Sequence, residues 1–162
     1  AAMVGDVGVV RRDPMAMKPF CGYNFADYWS HWLSFPERSA HLPKIFHVNW
    51  FRQNDDGEFL WPGFGENIRV LEWIIERCEH RAGAEETPIG FLPHVEDLNT
   101  DGLDIEQETL EELLTVHMDQ WREEMTSVLE YLESYGDRLP EELRRQQKRI
   151  ADALDAQLAR AS

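Results

Sequence analysis

The sequence predicts an α/β (or α+β) fold with few strands and a helical pair at its C-terminal end. Three observations carry that expectation. From Lys44 to Phe51 the residues alternate as in a strand, with Ile45, His47, Asn49 and Phe51 on one face and Phe46, Val48 and Trp50 on the other. From Ile105 to Tyr135, Leu110, Leu114, His117, Trp121, Met125, Val128 and Leu132 recur every three or four residues, as on one face of a long helix. Gly136 then caps that helix and Pro140 opens another, whose buried side is marked by Leu143, Ile150, Leu154 and Leu158. The short connection makes the two helices antiparallel neighbours.

The 162 residues, 43% of them hydrophobic, suffice for one domain with a real core. Within it, residues 1–104 are expected to form one portion and residues 105–162 the helical pair. The formal net charge is −15 and it is uneven. Residues 1–81 hold nine Lys/Arg against eleven Asp/Glu, whereas residues 82–162 hold seven against twenty. So acidic a chain repels polyanions, which argues against nucleic acid and anionic membranes as partners. A mononucleotide needs only a few local donors and stays compatible. No apolar run reaches membrane-spanning length, and no signal peptide is read. Cys21 and Cys78 have no metal-ligand spacing and read as reduced packing residues of a cytoplasmic protein.

Taken in order, the opening residues 1–8 lack caps and helical period and run into an apolar strand at Val7 to Val10. The absence of an initiating Met suggests the middle of a longer chain. Arg11 to Pro19, with Pro14 and Pro19, reads as a strand end and a loop. Asn24 caps a short helix carrying Phe25, Tyr28, Trp29, Trp32 and Phe35 on one face, which reads as core packing. His47 and Asn49 either reach a functional surface or satisfy backbone groups inside the fold. Asn54-Asp55-Asp56-Gly57 is strong turn chemistry for a hairpin to Phe59–Trp61.

Pro62-Gly63-Phe64-Gly65 re-aims the backbone, and Glu66-Asn67 begins a helix with a stripe of Ile68, Leu71, Ile75 and Cys78. Thr87 to Pro93 reads as an edge strand or extended strap. Asp97, Asn99, Asp101, Gly102 and Glu108 match a calcium-loop spacing, and Asp104 lies within it. Pro88 and Pro93 deny that loop its entering helix, so a plain acidic loop is the competing reading. His117, on the apolar stripe, reads as a satisfied core histidine rather than a ligand.

The stretch from Lys44 to Arg69 carries the candidate chemistry. Phe51, Phe59, Trp61 and Phe64 crowd its second half, and Asn67 follows three residues after the last Phe. Aromatic faces beside glycines, with one amide at a helix start, suit a flat polar ring such as a nucleobase. A hydrophobic loop packed on the core is the competing reading, and the pattern alone favours it.

The wording of this stretch adds to the pattern. FHVNWF followed by FLWPGFGENIRVLEW resembles the guanine-binding segment of the GTP-dependent phosphoenolpyruvate carboxykinases. The resemblance continues upstream through RRDPMAMKPFCGYNFADYWSHWLSF and downstream through TPIGFLP, and is densest from about Val9 to Pro93. It implies that guanine is sandwiched by Phe51 and Phe64, that Phe59 completes the pocket and that the Asn67 amide reads the base edge. It implies that Phe20, in KPFCGYN, lines the substrate pocket and that residues 1–8 are the tail of the mobile lid over it. The chain is then expected to be a few-stranded fragment of a nucleotide-binding domain.

The family reaction decarboxylates oxaloacetate and phosphorylates the enolate from GTP, giving phosphoenolpyruvate, carbon dioxide and GDP in gluconeogenesis. The resemblance implies GTP/GDP as substrate and Mn2+ and Mg2+ in the parent enzyme. The three lysines, Lys18, Lys44 and Lys148, end no G-x-x-x-x-G-K pattern, and no metal ligand or catalytic residue is assigned in this chain. The isolated chain is therefore expected to be inactive. A stand-alone guanine-nucleotide module and a structural or interaction domain are the alternatives.

Overall fold

Hydrophobic spacing dictates the helices, and the computed structural model places most of them as expected; it describes residues 12–161. The strand expected at Val7 to Val10 and the lid tail at residues 1–8 lie outside the described residues. The elements are helices α1 (Phe25–Leu33), α2 (Phe35–Arg38) and α3 (Asn67–Cys78), strands β1 (Glu85–Thr87) and β2 (Gly90–Leu92), and helices α4 (Gln107–Leu114), α5 (Met118–Glu133) and α6 (Glu141–Ala161). A mixed fold with one small antiparallel sheet and a C-terminal helical region fits the predicted class. The chain divides into two compact units. One comprises the described residues through Leu42 with those from Met118 onward, and the other is Pro43–His117.

In the first unit, Asn24 caps α1 as its residue type requires, its Oδ1 accepting from the Ala26 N–H at 2.9 Å. The aromatic face of α1 then forms core. Phe25, Ala26 and Trp29 are buried with Leu132 and Leu139. The Trp29 ring meets Tyr135 edge-on at 4.8 Å between centroids. The Tyr131 and Tyr135 hydroxyls lie 2.7 Å apart, with Lys18 Nζ over both rings. Burial first, and then the Tyr135 hydroxyl, push the Tyr131 phenol well above its ordinary range. Ahead of α1, residues 12–20 form two single 3-10 turns, Pro14–Ala16 and Lys18–Phe20. The Lys18 N–H donates to the buried Asp13 carboxylate at 2.8 Å.

Helices α5 and α6 pair antiparallel. Arg122 meets Asp155 and Arg144 meets Glu133, so position rises along one helix as it falls along the other. Met125, Ala151 and Leu154 form the core between them, with Trp121, Val128 and Ile150 packed against it. The Gln147 side chain is buried there and donates to the Met125 carbonyl at 2.8 Å. Gly136 sits at φ +59 in the connection, the left-handed geometry expected of it.

Four expectations are corrected. The helix predicted from Ile105 to Tyr135 is two helices, broken at Thr115–His117. Thr115 is extended, at φ −70 and ψ 131, and it begins a pair of β-branched residues with weak helix preference. The strand predicted from Lys44 to Phe51 is irregular, because alternation specifies a face but no described segment offers a ladder there. The predicted Ile68–Leu71–Ile75–Cys78 stripe of α3 is exposed. The helix is turned so that Trp73 is its buried residue, its ring edge-on to Phe46 at 5.9 Å. Cys78 is thus a free surface thiol rather than a packing residue, while the free Cys21 is half-buried. Residues 87–93 are part of an antiparallel hairpin in which Glu85 pairs with Leu92 and Thr87 with Gly90.

Leu154 is fully buried, so Leu154→Ala should destabilise the α5–α6 pair by about 2–5 kcal/mol, read as a lower urea midpoint. An unchanged midpoint would contradict the core described. In the second unit, Glu112 accepts from Arg52 Nη2 at 2.6 Å and lies 2.9 Å from His117 Nε2. The His117 hydrogen bond, and after it the Arg52 charge, hold the Glu112 carboxyl below its ordinary value of 4.5. A carboxyl with a lower folded than unfolded pKa adds stability above the unfolded value and loses it as pH falls through the folded one. The protection of residues 107–114 against hydrogen exchange, relative to the intrinsic rate at each pH, should therefore fall below about pH 4.5. Glu112→Gln should flatten that dependence, and equal acid sensitivity in the variant would count against it.

Candidate functional site

The candidate residues are carried on two tight backbone turns in succession. The first is the turn at Asn54–Gly57. Its Asn54 Oδ1 accepts from the N–H groups of Asp56 at 3.1 Å and Glu58 at 2.9 Å. The Asn54 N–H donates to the Glu58 carbonyl and the Gly57 N–H to the Asn54 carbonyl, both at 3.0 Å. Gly57 takes φ +81, which a side chain would oppose. A single bridge, Gln53 to Phe59, closes the base of the turn. The expected hairpin is thus reduced to one bridge, but it is enough to bring Phe51 and Phe59 together, ring centroids 6.0 Å apart at 62°. Asn49 sets the approach, its Oδ1 accepting from the Phe51 N–H at 3.0 Å.

The second device spans Trp61 to Asn67. Gly63 at φ +79 and Phe64 at φ +40 reverse the chain. The Glu66 N–H donates to the Gly63 carbonyl at 3.1 Å, and the Asn67 N–H to the Phe64 carbonyl. Across the mouth of this loop, the buried Trp61 donates its indole N–H to Asn67 Oδ1 at 2.9 Å. A non-glycine residue in left-handed geometry costs of order 1–2 kcal/mol, and these bonds hold Phe64 in it. Phe64 is 98% exposed and makes no ring contact among the described residues. Phe51 and Phe59 are 73% and 60% exposed. Three exposed phenylalanine rings and one amide at the start of α3, all carried within the seventeen residues from Phe51 to Asn67, are the groups a flat polar ring would use.

Phe20 belongs to the first unit and is 90% exposed. His47 is exposed, and Asn49 satisfies a backbone N–H at the surface rather than inside the fold. His117 is a satisfied histidine, but its partner is the Glu112 carboxylate and it is only half-buried.

The acidic loop meets a cation from within the chain. Arg69 Nη1 donates to the Asn99 carbonyl at 2.7 Å, and Nη2 to the Asp101 carbonyl at 3.0 Å. Asp97 is engaged with the His94 N–H at 3.1 Å. Among the described residues, no group of three or more His, Cys, Asp or Glu could hold a metal ion. The described residues therefore do not fit a resident manganese, magnesium or calcium ion, and no chemical step is derived through one.

Trp61 and Arg69 are the site residues that sequence reasoning missed. Trp61 was visible as one more ring among four, with nothing to separate it from a stacking residue. Arg69 fixes the start of α3 through its ion pair with Glu66 and through the Asn99–Asp101 backbone. Its only sequence signal is its i+3 position after Glu66.

Residues 1–153 match the family model described as the phosphoenolpyruvate carboxykinase C-terminal P-loop domain. A phosphoenolpyruvate carboxykinase [GTP] of Chlamydia pneumoniae is 51% identical over 156 residues, covering 95% of this chain and 26% of that protein. The protein of the same name from Thermoplasma volcanium is 53% identical over 143 residues, 88% of this chain and 24% of its own length. That of Chlamydia trachomatis is 48% identical over 155 residues, at 95% and 26% coverage. The chain thus spans about a quarter of the length of these curated relatives. A half-identical match across nearly all of this sequence places the chain in the GTP-dependent phosphoenolpyruvate carboxykinase family, in its C-terminal P-loop domain.

Proposed function

We propose that this chain is the guanine-binding, C-terminal part of an enzyme that converts oxaloacetate and GTP to phosphoenolpyruvate, carbon dioxide and GDP. The observation that carries the reading is the loop from Phe51 to Asn67. It carries three exposed phenylalanine rings and one half-buried amide in a chain of this family. Phe51 and Phe64 stack on the two faces of guanine, Phe59 closes the pocket beside Phe51, and Asn67 reads the base edge. Phe20 lines the pocket for the carboxylate substrate, and residues 1–8 are the tail of a lid over it. Lid closure excludes water and shields the enolate from protonation.

The phosphate loop and the ligands for Mn2+ and Mg2+ belong to the remainder of the enzyme, where those ions supply charge stabilisation for phosphoryl transfer. This chain on its own binds or stabilises but does not turn over. The exposed Ile68, Leu71 and Ile75 on α3 support an intimate partner of this kind, because an apolar stripe is what another part of a longer protein buries. The enzyme works in the cytoplasm, in gluconeogenesis, without nucleic acid or membrane as partner. The charge of −15 and the lack, among the described residues, of any helix long and apolar enough to cross a membrane are compatible with that.

Base stacking on an aromatic ring is worth roughly 1–3 kcal/mol. In the full-length enzyme, Phe51→Ala and Phe64→Ala should each weaken GTP binding by roughly five- to a hundredfold on that scale. Asn67→Ala should mainly relax the choice between guanine and adenine. Calorimetric titration with GTP and ATP checks both, and unchanged GTP affinity in the two Phe variants would remove the stacking model.

A further inference from the structure

An asparagine amide does not by itself distinguish guanine from adenine. Guanine presents an acceptor, O6, beside a donor, N1–H. Adenine presents a donor, the N6 amino group, beside an acceptor, N1. Rotating the amide by half a turn about its last bond exchanges its carbonyl and amino ends, so a free Asn serves either base equally. Selectivity requires something that stops the rotation.

We infer that Trp61 is that element: its indole N–H fixes the Asn67 amide in the one orientation that accepts guanine and refuses adenine. The inference rests on the guanine-binding reading above and adds a specificity-determining residue to it. An indole N–H donates and never accepts, so the Asn67 atom 2.9 Å from Trp61 Nε1 has to be the carbonyl oxygen. The amino group of the same side chain is thereby turned to the other end, and among the described residues no acceptor takes its hydrogens. A base arriving at that end meets a donor first. Guanine O6 accepts from it, and the second lone pair of Oδ1 stays open to N1–H. The adenine amino group would face another amino group. Flipping the amide to suit adenine would set N–H against N–H beside a tryptophan that is only 7% exposed, where water does not replace the lost bond.

Two features hold Trp61 and Asn67 in register. The ring of Trp61 is buried, which fixes the direction of its N–H. The main chain of Asn67 is tied to the Phe64 carbonyl, and Arg69, two residues onward, is bound to Glu66 and to the Asn99–Asp101 backbone. The lock is therefore part of the same loop that presents Phe64, and stacking and edge reading are set by one piece of backbone.

The test compares GDP, IDP and ADP affinities of the full-length enzyme of which, on that reading, this chain is the C-terminal quarter. IDP shares O6 and N1–H with GDP and lacks only the 2-amino group, so it isolates the edge that Asn67 reads. Trp61→Phe keeps an aromatic ring and removes the N–H. The preference for GDP and for IDP over ADP should fall by roughly tenfold, the scale of one buried hydrogen bond. A merely structural role for Trp61 would weaken all three nucleotides together and leave the ratios unchanged, and that result overturns the inference.

Asn67→Asp provides a second arm that does not depend on altering the buried ring. It keeps an acceptor for Trp61 but removes the donor that O6 needs, while N1–H of IDP and the amino group of ADP can each still donate to one carboxylate oxygen, so the IDP-over-ADP preference should be lost. A retained IDP-over-ADP preference in Asn67→Asp also overturns the inference. Failure of the underlying reading looks different: Asn67→Ala, Phe51→Ala and Phe64→Ala would all leave both affinity and base choice untouched.

Discussion

One hydrogen bond organises the candidate site, from the indole of Trp61 to the side-chain carbonyl of Asn67. It closes a seven-residue loop whose middle is forced into left-handed geometry at Gly63 and Phe64. Without the closure, Phe64 would relax to an ordinary conformation and its ring would leave the position it holds at the surface. The bond also orients the amide. A single contact between a buried ring and a helix-start side chain thus sets a shape and a polarity together. The acceptor sits on α3, and the donor is one of only four buried hydrophobic side chains in the second unit, with Trp73, Leu98 and Leu110.

So small an apolar core does not by itself order a unit with this much irregular backbone, and cationic side chains take up the difference. Arg52 donates to the Leu113 carbonyl at 3.1 Å and to Glu112. Arg69 bonds two carbonyls of the acidic loop, Arg77 bonds the Ala82 carbonyl at 2.9 Å and Lys44 bonds the Arg77 carbonyl at 2.6 Å. Each satisfies a carbonyl that a helix or sheet would otherwise have used. These charge-assisted bonds are individually stronger than neutral ones, and a guanidinium with its fork of donors can reach two acceptors at once. The first unit works differently. There the tyrosines, tryptophans and leucines of α1, α5 and α6 supply the burial, and polar contacts such as Arg122 with Asp155 lie at the surface.

That contrast explains what was legible in the sequence. Helices α1, α5 and α6 were readable because a helix face is a local property, repeated every three or four residues. The Asn54–Gly57 turn was readable because its bonds are made within five residues. The strand expected from Lys44 to Phe51 was not realised, because a strand is completed by a neighbour that its own residues do not specify. The helix break at Thr115 was hidden by a stripe that happens to stay in phase from Leu114 to His117. The acidic loop matched a calcium pattern residue by residue, yet the cation that occupies its carbonyls is Arg69, thirty positions before Asn99. In the site, the phenylalanines and Asn67 stood out as a pattern suited to a nucleobase, and family resemblance supplied their individual roles. Trp61 had no role assigned, because its contribution is the direction of one N–H, which depends on how the loop closes and leaves no period to read.

The central claim is that base identity is read by an amide whose orientation is fixed from inside the protein. A structure of the full-length enzyme with GDP tests it most directly. The account predicts the purine between Phe51 and Phe64, its O6 within hydrogen-bond distance of Asn67 Nδ2, with Oδ1 still on the Trp61 indole N–H. A purine seated away from those rings, or an Asn67 amide turned off Trp61 to meet the base, would contradict it.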